Sequence, residues 1–267
     1  MEEPPQTWFE ACARILTDPQ NQRVWSIIMS LFGDLAQQPG DRLTGSALSR
    51  IIMPVGIKPE AIRVALHRLR KDGWIDSARS GRASAHFLTD YGRARSAEVT
   101  PRFYTRMPDT PTDWHLLIAE DGPGQSALDE MLLTAEYFSL ARNVALGAGP
   151  APEVSGALMS FDVEARAVPD WVRARACPTD LAASCRSLCD ALEQATALLP
   201  PEGEITPLQT ATLRMLIVHR WRRVVLRMPD LPAAFFPPDW PGPDCRSAVF
   251  RLLDQLPRPA LSDLDAD

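Results

Sequence analysis

Three apolar stripes at helical spacing, joined by very short breaks, occupy residues 24 to 73, and they restrict the fold more than any other feature of the chain. Val24, Ile27, Ile28, Leu31, Phe32 and Leu35 fall on one face of a first helix. After the polar turn QQPGDRLTG, Ser46 is expected to cap a second short helix that buries Leu48, Ile51 and Ile52 and ends at Pro54 and Gly56. Pro59 suits the first turn of a third helix, whose inward stripe is Ile62, Ala65, Leu66 and Leu69 and whose terminator is Gly73. The stretch WIDSARSGRASAHFLT then reads as two alternating strands turned at Ser80, Gly81 and Arg82, followed by a helix capped by Thr89.

Helix, helix, helix, hairpin is the order of a winged helix-turn-helix, and the chemistry of the third helix agrees with it. Opposite its apolar stripe lie Glu60, Arg63, Val64, His67 and Lys71, with Arg68 and Arg70 on the flanks and Lys58 just ahead. A helix that reads the major groove needs donors and an acceptor outside and a docking stripe inside: Arg63 can grip guanine bidentately and Glu60 can accept from cytosine. Arg79 beside the hairpin turn and Arg82 at its tip are placed for phosphate or the minor groove. Residues 58–106 carry eleven Lys and Arg against five Asp and Glu, a net charge of +6 in a chain of net charge −6. The remainder is therefore acidic by about twelve charges, so the positive field is concentrated where this fold would meet duplex DNA. Two other readings stand beside DNA binding: a solvated helix face, and a winged helix used only for contact with an acidic protein.

The 267 residues and 45% hydrophobic content allow two or three domains with cores of their own, and the 25 prolines punctuate elements rather than form one tract. The expected class is multidomain α+β. Five cysteines (Cys12, Cys177, Cys185, Cys189 and Cys245) lack CxxC spacing, and the sequence has neither a signal-peptide pattern nor a membrane-length apolar run, so a cytoplasmic location and no membrane contact are expected. Cys185 and Cys189 share a helical face, but no third ligand lies nearby in sequence; they are read as small buried residues, and no metal or cofactor is expected. Nor is an enzyme: the four histidines are scattered, GxSxG and HExxH are absent, and LGAGPAP lacks the spacing of a dinucleotide loop. Trp8, Phe9 and Ile15 suggest a helix within residues 1–22, and residues 179–199, 206–227 and 243–256 read as three further helices.

Four stretches of the first hundred residues, SLFGDL, GIKPEAIRVALHRLRKDGWI, GR at 81–82 and FLTDYGR, together with HRWRRVVLRMPDLPAAFFPPDWPG at 219–242, resemble the PaaX family, repressors of phenylacetic-acid degradation operons. The likeness covers about half the chain, with Met228 standing where the family has an Asp and His86 where its wing often has an aromatic. It implies a winged helix-turn-helix over 23–104, a ferredoxin-like α+β domain over 112–168, and a helical effector and dimerisation domain over 178–258; the N-terminal extension, 1–22, has no counterpart in the family, and residues 259–267 read as an acidic tail. Within the middle domain DWHLLIAE is expected as a strand, QSALDEMLLTAEYF as a helix and GALMSFDVEAR as a later strand. The implied function is a homodimeric repressor that leaves double-stranded operator DNA when it binds an aryl-coenzyme A thioester such as phenylacetyl-CoA. His219, Arg220, Trp221, Arg222 and Arg223 are the residues to which that effector site is assigned, against the alternative that Trp221 is core and the arginines are solvated or ion-paired.

Overall fold

The computed structural model describes residues 7–80, 83–108, 111–134, 136–154, 156–201 and 203–265. It is a mixed α+β structure with two small antiparallel sheets and, among the described residues, ten α-helices. The chain divides into two compact units: Met1–Arg106 with Ser184–Val225 and Pro241–Asp267, and Met107–Ala183 with Leu226–Trp240.

The first unit opens with α1 (Trp8–Leu16), fixed at its start by a capping box in which Thr7 and Glu10 each accept from the other's backbone N–H. Helix α2 (Val24–Leu35) carries the predicted stripe, and β1 (Leu43–Thr44) leads into α3 (Gly45–Ile52). The cap of α3 is Thr44 rather than Ser46: the Thr44 hydroxyl accepts from the Ala47 amide at 3.1 Å, and Ser46, two residues inside, bonds to Thr44 instead. A 3-10 turn at Met53–Val55 ends in Gly56 at φ +83°, a left-handed turn that frees the chain to start α4 (Pro59–Lys71). Strands β2 (Ile75–Ser80) and β3 (Ala83–Leu88) form the hairpin, with β3 central in the order β1-β3-β2, and α5 (Asp90–Tyr104) follows from the Thr89 cap.

The second unit is a four-stranded sheet of β4 (Trp114–Ala119), β5 (Tyr137–Ala141), β6 (Val144–Ala148) and β7 (Leu158–Val163) in the order β5-β6-β4-β7. Helix α6 (Pro123–Leu132) crosses between β4 and β5, and α7 (Asp170–Ala176) follows β7. The helix expected over 125–138 is thus too long. Its last residues, Tyr137 and Phe138, pair with Gly147 and Leu146 of β6, a strand that sequence reading did not find. Residues 226–240 complete this unit, with Phe235 stacked on Trp114 and Phe236 on Trp240. The boundaries at 168 and 178 consequently differ from the observed ones: side chains from the DLPAAFFPPDW stretch fill the core around Leu146 and Val172 and the one around Cys177 and Ala182.

The remaining helices are α8 (Thr179–Leu198), α9 (Pro207–Val225) and α10 (Gly242–Gln255). Helix α9 is buried on every side from Thr210 to Trp221 and packs on α1, α2, α3, α5 and α10. A helix buried all round must satisfy its polar groups internally. Thr212 donates to the Ile51 carbonyl at 2.9 Å, and Arg214 makes a bidentate pair with Asp34 of α2 at 2.8 and 2.7 Å while donating to the Leu253 and Leu256 carbonyls. Tyr104 and Arg258 also donate to Asp34, at 2.7 and 3.2 Å. The segment expected as an acidic tail is docked where it is described: Leu264 is buried, its carbonyl accepts from Arg50, and Asp265 accepts from Thr44.

Burial alone would raise the Asp34 carboxyl, but the hydrogen bond and charge of Arg214, then Tyr104 and Arg258, more than offset it and hold its pKa below the ordinary carboxylate value. Stability from this depressed carboxyl is complete above the unfolded-state pKa and is lost as pH falls through the folded-state value. Asp34→Asn is expected to destabilise the protein by about 3–5 kcal/mol at neutral pH, since it strands the Arg214 charge. In urea denaturation the gap between variant and wild type narrows toward acid pH; a gap constant with pH contradicts the assignment.

Candidate nucleic-acid interface

Helix α4 is held by one face only. Ile62, Ala65, Leu66 and Leu69 are buried and dock on α2 and α3, and Pro59 at the first position leaves no amide needing a partner there. Its C-terminus is closed by Gly73 at φ +75°, with the Trp74 amide donating to the Leu69 carbonyl at 2.9 Å. That tight exit starts the hairpin directly under the helix. The opposite face therefore stays in solvent: Lys58, Glu60, Arg63, His67, Arg68, Arg70 and Lys71 are all exposed, and Val64 among them is 69% exposed.

The cations on this face are lightly tethered. Arg63 pairs with Glu60 at 2.8 Å and Arg68 with Asp72 at 3.5 Å, both in open solvent, where such pairs contribute about 0.3–0.5 kcal/mol and yield readily to a stronger anion. Arg70 donates to Ser77 of β2 at 3.2 Å, which ties the end of the helix to the hairpin. Arg79 is exposed on β2; Arg82 lies outside the described residues. Sequence reading missed Arg42, whose guanidinium lies 5.1 Å above the Phe87 ring of β3 and adds an exposed cation to the three-stranded sheet. His86, in contrast, is buried, and burial followed by the Arg70 charge lowers its pKa, so it belongs to the support of the sheet.

The FLTDYGR stretch braces this arrangement from behind. Thr89 caps α5 through the Gly92 amide and donates to the Gly73 carbonyl at 2.6 Å; Arg93 donates to the Leu88 carbonyl, and Tyr91 meets Trp74 edge-on at 5.4 Å. Gly92 is required because a Cβ there would sit 2.0 Å from the Trp74 carbonyl oxygen.

The five residues of α9 proposed for an effector lie inside the first unit. Trp221 is buried and donates from Nε1 to the Phe103 carbonyl at 3.0 Å, and His219 is within 3.3 Å of the Ser30 hydroxyl. Arg220 donates to the Ile15 and Leu16 carbonyls and to Ser187, Arg222 lies over the Phe103 ring, and Arg223 pairs with Asp18 at 3.1 Å. This is the arrangement of a core tryptophan with tethered arginines. In the second unit a cavity of about 690 Å³ is lined by Trp114, Val163 and Phe235 together with Asp113, Asp162 and Glu164, carboxylates that repel a polyphosphate.

Residues 23–92 match the family model described as PaaX-like protein, and residues 179–265 match that of the PaaX-like protein C-terminal domain. The chain belongs to the PaaX-like family. This is a family of transcriptional regulators rather than of enzymes. The PaaX-like chain is 26% identical over 263 residues to the transcriptional repressor PaaX of Escherichia coli (strain K12), across 89% of this chain and 81% of that protein. An uncharacterized protein of Mycobacterium tuberculosis, Rv0674, shares the fold with a TM-score of 0.51 at 22% identity, over 86% of this chain and 94% of that one. Among the described residues no helix is long and apolar enough to cross a membrane.

Gly92→Ala separates two expectations. Helix propensity alone favours alanine by about 1 kcal/mol, whereas the close approach to Trp74 makes it destabilising by about 1–3 kcal/mol. Thermal denaturation of the variant is expected to show a lower Tm; a raised one removes the close packing from the account.

Proposed function

We propose that this chain is a sequence-specific DNA-binding repressor in which α4 enters the major groove and the β2–β3 hairpin acts as a wing. The observation that carries the reading is the exposed, weakly tethered basic face of α4, opposite a face wholly used in docking. Supporting it are the helix, helix, helix, hairpin order and the charge asymmetry of +6 over residues 58–106 in a chain of net −6. In this reading residues 23–104 are a winged helix-turn-helix, the four-stranded unit is ferredoxin-like, and the C-terminal helices serve effector binding and dimerisation. Two-fold symmetric regulators bind two half-sites, so the operator is a pseudo-palindrome and the active species a homodimer.

The genes controlled are those of aromatic, phenylacetate-type catabolism, and the releasing signal is an aryl-coenzyme A thioester such as phenylacetyl-CoA; support for this comes from the family resemblance. At the α9 residues the phosphates of such a ligand have to compete with Asp18 for Arg223 and with the Ile15 and Leu16 carbonyls for Arg220.

The test is a mobility shift of the purified protein on the intergenic DNA beside its own gene, with and without phenylacetyl-CoA, at two salt concentrations. Selective binding abolished by the thioester is expected. Selective binding that ignores it discards this effector, and binding without sequence preference leaves the protein-contact reading of the winged helix. Within the same assay Arg63→Ala is expected to relax base preference, whereas Arg79→Ala weakens binding to all sequences and lowers the salt slope by about 0.9. Equal and sequence-blind losses in both contradict groove reading by α4.

A further inference from the structure

The cysteines of α8 and α10 lie together in the fold. Cys185 and Cys189 lie one turn apart on α8, and Cys245, in the first turns of α10, brings a third sulfur to them from sixty residues downstream. The three Sγ atoms lie within 4.8 Å of one another. Cys245 Sγ also approaches the Cys185 carbonyl at 3.7 Å, which fixes its rotamer toward α8. All five cysteines of the chain are outside any disulfide. Cys185 and Cys245 are fully buried, and Cys189 is half-buried, so the cluster has one side open to small solutes.

Cys12 supplies the contrast. It sits alone in the core with its Sγ against the Ala195 carbonyl, and burial pushes its thiol up to about 11. At Cys189, by contrast, the neighbouring Cys185 and Cys245 thiols hold the pKa below the ordinary thiol value.

The geometry points to a three-thiolate site, Cys185, Cys189 and Cys245, for a soft divalent ion of the zinc class, joining α8 to α10. A Zn–S bond of about 2.3 Å at tetrahedral angles puts sulfurs about 3.8 Å apart, a spacing that small rotamer changes reach from the present one. All three donors are sulfur, the choice of a thiophilic ion and not of magnesium or calcium. Three thiolates fill three positions around a tetrahedral ion, and the open side by Cys189 leaves the fourth for water or a solute ligand. The inference is independent of DNA binding.

Its test is metal titration of the full-length protein, purified with reductant, stripped with a chelator, and titrated with Co(II) as the spectroscopic probe. The expected result is one equivalent of Co(II) with thiolate-to-cobalt charge-transfer absorption in the near ultraviolet, displaced by one equivalent of Zn(II). Cys189→Ser, at the least buried position, is expected to keep the wild-type circular dichroism spectrum and lose at least half of that absorption, while Cys12→Ser and Cys177→Ser retain it. Absence of charge-transfer absorption in the wild type overturns the proposal, as does an unchanged spectrum in Cys189→Ser. Loss of two alkylatable thiols in protein purified without reductant, together with no cobalt spectrum, assigns the cluster to a disulfide instead.

Discussion

The buried pair of Asp34 and Arg214 is the constraint on which the first unit depends. Two charges removed from water cost several kcal/mol each, and the cost is offset only when every remaining donor and acceptor is used. Here both carboxylate oxygens meet the guanidinium, Tyr104 and Arg258 supply further donors, and Arg214 Nη1 donates to two carbonyls at the end of α10. Five stretches of chain are thereby fixed around one carboxylate: α2, α5, α9, the end of α10 and the segment after it. The N-terminal helices and the C-terminal helices consequently share a core instead of forming separate domains, with α9 running through it.

That shared core bears on how a signal would reach DNA. Helix α4 docks on α2, and α2 packs along α9, so a ligand that moves α9 has a direct mechanical path to the exposed basic face. In the proposed function such a ligand acts by preferring the geometry that does not fit the operator, and the size of the release equals its differential affinity for the two geometries. The capping of α3 by Thr44, itself bonded to Asp265, adds a second link between the N-terminal helices and the C-terminal segment.

The α2–α5 segment was legible in the sequence because its signals are local. Stripe spacing, Pro59, Gly56, Gly73 and the Thr89 cap each act within a turn or two of chain, and the exposed cations follow from the stripe they oppose. The rest depended on partners distant in sequence. Helix α9 carries Arg214, His219 and Arg220 in its buried stretch, and their burial is set by Asp34, Ser30 and α1, up to 205 residues away. The cysteine cluster was hidden for the same reason, since its third sulfur arrives with Cys245 of α10. The end of α6 was misjudged because Tyr137 and Phe138 are as compatible with a helix as with a strand, and only pairing with β6 decides between them.

The most direct test of the shared core is native-state hydrogen exchange resolved by segment. If α9 holds the N-terminal helices in place, the slowest amides of α2, α4 and α9 exchange through one opening event, with the same dependence on denaturant. Slow exchange that persists in α2 and α4 after α9 has fully exchanged would contradict this, and would return residues 23–104 to the status of an independent domain.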